Sequence, residues 1–224
     1  MTTRLGSDAP SRPDYGPGLP VLLRRRFGVR EGVTKMVALA LAVAAAAALV
    51  YSLVTGPERI VYRAGPTFNM QYSSDVLHRV APQGVELVRL EAQKGALSAS
   101  ITVSRLRLPP YSGNVTSGLL PVYIEDYEQE LGRTLVDFQL RDEGSARDND
   151  AQGYQDGFRA GPPGHFTWGR DMMLVPGDED VTEGVVLRLR QTKAGAVTKA
   201  DQGFLDEVRK AFRSFNFGTD RADW

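Results

Sequence analysis

The stretch LSASITVSRLRL, residues 97–108, decides the fold class, because apolar and hydroxyl side chains alternate in it. Positions 97, 99, 101 and 103 are apolar, whereas positions 98, 100, 102 and 104 are serine or threonine. This period of two predicts a β-strand in a sheet with one buried and one polar face. VELVRLEA (85–92) precedes it, and the QKG between them predicts a hairpin turn.

The same kind of argument predicts the other elements of the domain. Short strands are expected at FNMQY (68–72), DFQLRDEG (137–144), GYQDGFRA (153–160), RDMMLV (170–175) and EGVVLRLRQT (183–192). Apolar residues recur every three or four positions in LLPVYIEDYEQELG (119–132) and TKADQGFLDEVRKAFRSF (198–215), which predicts two helices. Strands joined by short turns pair antiparallel. We therefore predict an α+β domain over residues 68–218, an antiparallel sheet flanked by helices.

The order of these segments resembles the PsbP/Mog1-like family, including its membrane-anchored relatives in actinobacteria. The resemblance rests on FNMQY, SASITVSRL, LPVYIEDYEQEL, QGYQDGFRA and the closing FNF, and it extends over residues 68–217. It implies an α/β/α sandwich. It also implies a role in binding and assembly rather than catalysis, and it transfers no catalytic residue or cofactor to this chain.

A membrane-spanning helix is predicted near the N-terminus. Residues 36–54, MVALALAVAAAAALVYSLV, carry no charge. As a helix this stretch would extend about 28 Å, close to the ~30 Å hydrocarbon core of a bilayer. We predict a transmembrane helix over 34–55, preceded by a disordered cytoplasmic tail over 1–33 and followed by a linker over 56–67; residues 219–224 form a C-terminal tail.

Basic residues before this helix predict its orientation. Arg24, Arg25, Arg26, Arg30 and Lys35 lie on its N-terminal side, so the positive-inside rule places the N-terminus in the cytoplasm and the C-terminal domain outside. The same five side chains are the candidate contacts with the surface of the lipid bilayer. Alanines spaced by four residues would permit a weak homodimer through the helix.

Two alternatives for residues 36–54 stay open, a buried helix of a soluble protein and a cleavable signal peptide. The alanine run contains the A-x-A patterns of signal-peptide cleavage sites. The segment has no polar face, which disfavours the first alternative. A long preceding region and apolar residues that continue beyond the alanines disfavour the second.

Charge is balanced overall but unevenly distributed. The chain has 27 basic and 27 acidic residues; seven basic and three acidic residues lie in 1–35, which leaves 20 basic and 24 acidic residues beyond. A nucleic-acid-binding domain carries a basic patch, so the acidic balance of the predicted domain argues against nucleic-acid binding. The absence of cysteine excludes disulfides, thiol nucleophiles and cysteine-ligated zinc.

The sequence contains no recognisable catalytic motif. Its two histidines, His78 and His165, are not accompanied by a G-x-S-x-G elbow, and no phosphate-binding glycine pattern occurs. His165, Phe166 and Trp168 lie in AGPPGHFTWGR, which predicts a loop that could bind a partner by aromatic stacking. The alternative is a hairpin loop whose Trp168 packs at the sheet edge. We predict no catalytic residue, no cofactor and no metal.

Two acidic stretches resemble cation sites. DNDAQG (148–153) begins like an EF-hand loop, but position twelve, where calcium needs a bidentate glutamate, is Arg159. We therefore predict a polar turn that leads into a strand. The stretch 178–183 places four carboxylates between two strands; solvated charge is the favoured interpretation, and cation binding stays open.

These patterns predict a single-pass, membrane-anchored extracytoplasmic binding module without catalytic activity, which serves assembly or binds a protein partner at the cell envelope. One alternative is an envelope hydrolase with two carboxylates, such as Glu125 and Asp178, which would have to converge in a cleft at about 5–10 Å. The other is a carrier of lipids or small molecules, which needs an apolar cavity between sheet and helix.

Overall fold

The computed structural model describes Val21, residues 31–54, residues 56–177 and residues 181–219. The chain divides into two units, Met1–Gly56 and Pro57–Trp224. The first unit contains helix α1 (Glu31–Val54), along which Lys35, Leu39 and Leu41 are exposed. The four predicted lipid-contacting arginines that precede α1 lie outside the described residues. None of the helices in the described ranges has both the length and the hydropathy of a bilayer-crossing span.

The second unit is built mainly from β-strands. Its described strands are β1 (Glu58–Tyr62), β2 (Phe68–Tyr72), β3 (His78–Val80), β4 (Glu86–Lys94), β5 (Leu97–Arg107), β6 (Gln139–Asp148), β7 (Ala151–Ala160), β8 (His165–Val175), β9 (Glu183–Ala194) and β10 (Asn216–Phe217). Helix α2 (Leu120–Thr134) follows β5, and helix α3 (Gln202–Phe212) follows β9.

The strands form two sheets in which every described pairing is antiparallel. The small sheet has the order β1-β2-β10, and the large one has the order β3-β4-β5-β9-β8-β7-β6. After β5 the chain passes through α2 to the far edge, then returns through the β6–β9 meander until β9 pairs with β5. This topology confirms the predicted α+β class and the β4–β5 hairpin.

Alternate residues of the strands supply two hydrophobic cores. On β8, Met172 and Leu174 belong to the core that contains α3 and the small sheet, whereas Met173 and Val175 belong to the core that contains α2. Successive side chains of a strand point to opposite faces, so α2 and α3 cover opposite faces of the large sheet. The layers are helix, sheet and helix, as in the predicted α/β/α sandwich.

The predicted linker 56–67 differs from the structure. It contains β1, which pairs with β2 over its whole length. Ile60 of β1 is buried, and the ring of Tyr62 stacks on Phe68 with centroids 5.0 Å apart. The short ERIVY segment therefore gains its order from a neighbouring strand and a buried side chain rather than from a pattern of its own.

Candidate functional site

A cleft of about 1060 Å³ opens between α3 and the β6–β9 meander. The helix contributes Gln202, Leu205, Arg209 and Phe212 to its lining. These positions are three, four and three residues apart, so they share one face of the helix. The amphipathic pattern of α3 thus supplies both a core contact and one wall of the cleft.

The interior of the cleft is apolar. Met172 and Leu189 of the sheet and Leu205 and Phe212 of the helix line it, although each is less than one-tenth exposed. Trp168, which is partly exposed, lies on the sheet side of the same lining. Such a surface can bury the apolar part of a ligand.

The remainder of the lining is rich in arginine. It includes two carboxylates and five guanidinium groups, those of Asp142, Asp148, Arg141, Arg147, Arg170, Arg209 and Arg213. Cations therefore outnumber anions around the cleft, although the chain beyond residue 35 is acidic overall. Arginine presents a planar fork of donors that matches a carboxylate or a phosphate.

One ion pair crosses the floor of the cleft. Arg170 of β8 donates to Asp142 of β6 at 3.0 Å, across the intervening strand β7. A Cβ atom at Gly157 of β7 would collide with the Asp142 carboxylate, so the glycine leaves the space that this carboxylate occupies. Both side chains of the pair are about half exposed and stay accessible to a ligand.

Asp148 is a buried carboxyl group in the lining of the cleft. Asp148 as a whole is 6% exposed, and its Oδ2 atom has no hydrogen-bond partner among the described residues. Burial raises the pKa of Asp148 to about 7, and the nearby charge of Arg213 opposes that rise. Near neutral pH the protonated form is therefore well populated and can donate a hydrogen bond.

The start of α3 is fixed by the capping box that Thr198 and Asp201 form at the 3-10 turn Lys199–Asp201, which leads directly into the helix. Asp201 accepts hydrogen bonds from the backbone nitrogen and the hydroxyl of Thr198, each at 2.7 Å, and it pairs with Lys193 of β9. The bond from Lys193 and those from Thr198 hold the pKa of Asp201 well below its usual range. These contacts tie the first turn of the cleft wall to the sheet.

The end of α3 is fixed by two polar side chains. Ser214 accepts from the backbone nitrogen of Gln71 at 2.7 Å and donates to the Gln71 carbonyl at 2.8 Å. Asn149, in the two-residue turn between β6 and β7, donates to the Phe215 carbonyl at 2.7 Å. The polar turn predicted from DNDAQG is confirmed, and it anchors the helix beside the cleft.

The predicted partner-binding loop lies in a different element. His165, Phe166 and Trp168 belong to strand β8, because the backbone of this segment pairs with β7 and β9; the loop itself comprises residues 161–164. Phe166 and Trp168 share one face and contact each other at a centroid distance of 6.1 Å. Trp168 lines the cleft, whereas His165 is exposed at the start of the strand and lies outside the lining.

A second polar cluster lies on the other face of the sheet, beneath α2. Asp171 of β8 is fully buried and pairs with Arg190 of β9 through both of its carboxylate oxygens. Tyr127 of α2 donates to Asp171 at 2.6 Å and accepts from Arg188 at 2.9 Å. The network attaches α2 to the sheet by charge-assisted hydrogen bonds.

Two further carboxyl groups of this cluster have raised pKa values. Asp156 of β7 is fully buried. Burial and the negative charges of Asp171 and Glu128 raise its pKa to about 7, whereas the positive charge of Arg190 opposes that rise. Burial, with Glu143 and Glu125, raises the pKa of Glu128 on α2 to about 7. Asp156 accepts a hydrogen bond from the backbone nitrogen of Asp171 at 3.1 Å. Asp156 and Asp171 thus lie in the protein interior, whereas Glu128 is partly exposed.

Among the described residues, the candidates for catalysis and metal binding are not brought together. Glu125 is exposed on α2, and Asp178 lies outside the described residues. His78 is exposed on the edge strand β3, far in the sheet order from His165 on β8. In the ranges that the structure covers, no three histidine, aspartate or glutamate side chains are grouped so that they could hold a metal ion.

The fold and the cleft together define a class, an α+β domain with an arginine-rimmed cleft. No family model matches the sequence. No curated protein matches it either. One solved structure with a similar fold is LpqN of Mycobacterium tuberculosis, which is involved in cell envelope biogenesis; the two are 15% identical, and the match covers 74% of this chain and 93% of LpqN with a TM-score of 0.44. Another is a cyanobacterial PsbP from Synechocystis, which is 9% identical; the match covers 73% of this chain and 94% of that chain with a TM-score of 0.48.

A further similar structure is PA94 of Pseudomonas aeruginosa, a protein of unknown function (13% identity, 68% of this chain, 94% of that chain, TM-score 0.38). A PsbP is thus among the solved structures to which this chain is similar. Identities of 15% or less confine the likeness to the fold.

Proposed function

We propose that this chain is a membrane-anchored extracytoplasmic module that binds a partner or ligand in the α3 cleft and does not transform it chemically. The cleft carries the proposal, because it combines an apolar interior with an arginine rim. Aromatic and arginine side chains are the groups that most often dominate binding energy at protein surfaces. Trp168, Arg170 and Arg213 supply them here.

The proposed anchor rests on the first unit. Residues 36–54 carry no charge and lie within α1, whose large apolar side chains are exposed. Leu39, Leu41 and Leu49, for example, are each 63–66% exposed. Surrounding lipid would remove this apolar surface from water. The preceding arginines orient the N-terminus toward the cytoplasm and the second unit away from it.

The positions of the acidic side chains support a binding role without catalysis. Asp156 and Asp171 face each other on paired strands, but both are fully buried and belong to the network beneath α2. A pair of catalytic carboxyl groups has to reach a bond of the substrate from a cleft. The described acids of the α3 cleft are Asp142, which pairs with Arg170, and the buried Asp148. This distribution favours binding over hydrolysis.

The test is photo-crosslinking of the full chain in its native membranes. A photoreactive phenylalanine analogue at position 168 is expected to label a partner, whereas the same group at the exposed Gln129 of α2 serves as the control. The chain should stay in the membrane fraction after carbonate extraction. Equal labelling from both positions would contradict binding in the cleft. A mature form that lacks residues 1–48 would contradict the anchor.

A further inference from the structure

The arginines of the α3 cleft are only partly neutralised by neighbouring acids. Arg170 pairs with Asp142, and Arg209 pairs with Asp206 at 3.2 Å. Arg141, in contrast, donates to the neutral side chain of Gln139 at 2.9 Å. Among the described residues it forms no ion pair.

The side chain of Arg141 is placed by a bulge in β6. The register with β7 shifts between Leu140 and Asp142, so Arg141 has no partner residue on β7. Such bulges redirect a side chain at the edge of a sheet. Arg213 lies on the other side of the cleft, directly after α3, and it too forms no ion pair within the described residues. Arg213 lies close enough to Asp148 for its charge to oppose the raised pKa of that carboxyl group, whereas Arg141 lies at the other end of β6, about 23 Å away along the strand.

The apolar part of the cleft indicates what the anionic group is attached to. Trp168, Met172 and Leu189 lie on the sheet side, and Leu205 and Phe212 lie on the helix side. An inorganic anion alone would make no contact with this apolar surface. The volume of about 1060 Å³ is at the upper end of what small-molecule sites offer.

We propose that the α3 cleft binds a small organic anion, a carboxylate or phosphate attached to an apolar or aromatic body. The anionic group meets Arg141 and Arg170, and the body lies on the apolar interior beside Trp168. This inference rests on the proposed binding role of the cleft and specifies the chemistry of what it binds.

Titration of the full chain tests the proposal. Trp168 and Trp224 are its two tryptophans, so a Trp224→Phe background in neutral dodecyl maltoside micelles leaves Trp168 as the sole tryptophan reporter. The probes are 4-phenylbutyrate and phenyl phosphate, with 4-phenylbutyramide as the neutral match and inorganic phosphate as the anion without a body. We expect saturable changes in Trp168 emission with both phenyl anions. The amide and inorganic phosphate should bind at least about tenfold more weakly.

Substitutions locate the binding. The variant Arg141→Gln should weaken both phenyl anions about tenfold, since Arg141 can form a charge-assisted hydrogen bond with the anionic group. Arg133→Gln is the matched control, because Arg133 is exposed on α2 at the opposite face of the sheet. Unchanged unfolding midpoints would show that both variants are folded.

Three results would overturn the proposal: equal binding of the amide and the carboxylate, equal binding of inorganic and phenyl phosphate, or no saturable response to either phenyl anion. If the probes fail while crosslinking from position 168 still captures a partner, the ligand class is wrong and the binding role stands. If crosslinking from position 168 fails as well, both proposals are overturned.

Discussion

At the scale of single residues, Gly153 determines how closely β7 can approach β8. A Cβ atom at this position would overlap the carbonyl oxygen of Met173 on the neighbouring strand. We expect Gly153→Val to lower the free energy of unfolding by about 1–3 kcal/mol, because the strand backbone cannot move aside without strain. Denaturant unfolding of the two proteins measures the difference.

A control for this substitution lies in the adjacent strand. A Cβ atom at Gly144 of β6 would meet no heavy atom within 4 Å, so Gly144→Val should change the stability by no more than about 0.5 kcal/mol. Equal losses for both variants would mean that strand propensity, and not the close approach, explains the effect.

Added calcium should leave the unfolding midpoint of the wild-type protein unchanged, since Asp148 lines the α3 cleft and Asn149 binds Phe215.

At the scale of elements, the network around Asp171 fastens α2 to the sheet. Arg190→Met would leave the fully buried Asp171 without its guanidinium partner, beside the buried Asp156. Removing one member of a buried ion pair costs about 3–5 kcal/mol, and that is the loss expected here. Arg133→Met, which removes an exposed pair with Glu130, should cost no more than about 1 kcal/mol. Urea unfolding compares the two.

A double variant separates the charge from the packing. Asp171→Leu together with Arg190→Met removes both charges at once, so it should be less destabilising than Arg190→Met alone. A double variant that is less stable than the single one would mean that the hydrogen bond from Tyr127 to Asp171 outweighs the unpaired charge.

At the scale of the whole molecule, local periodicity was sufficient for the elements with strong patterns, such as the β4–β5 hairpin, α2 and α3. It was insufficient for β1 and β10, which are short and become ordered only by pairing with β2 from distant parts of the chain. Of the cleft residues, Trp168 was selected from the sequence. The sequence marks Asp148 only as the first position of the rejected calcium loop, and it gives no signal for Arg141 or Arg213, because their place depends on a bulge and on long-range packing.

Three raised carboxyl pKa values determine how the stability of the domain depends on pH. Asp148, Asp156 and Glu128 each titrate at about 7 in the folded state, whereas unfolded aspartate and glutamate titrate near 4. Between these values the folded state holds more protons than the unfolded chain, so the free energy of unfolding falls as the pH rises from about 4 to 7. Asp201 does not alter this, because its lowered pKa acts only in stronger acid.

We therefore expect a lower thermal midpoint at pH 8 than at pH 5.5. The triple variant Glu128→Gln/Asp148→Asn/Asp156→Asn should flatten this dependence, because amides resemble the protonated acids in shape and stay neutral at both pH values. Differential scanning calorimetry in buffers of equal ionic strength measures both proteins. A wild-type midpoint that rises between pH 5.5 and 8 would contradict the argument, since it would require that the unfolded chain holds more protons than the folded state in that range.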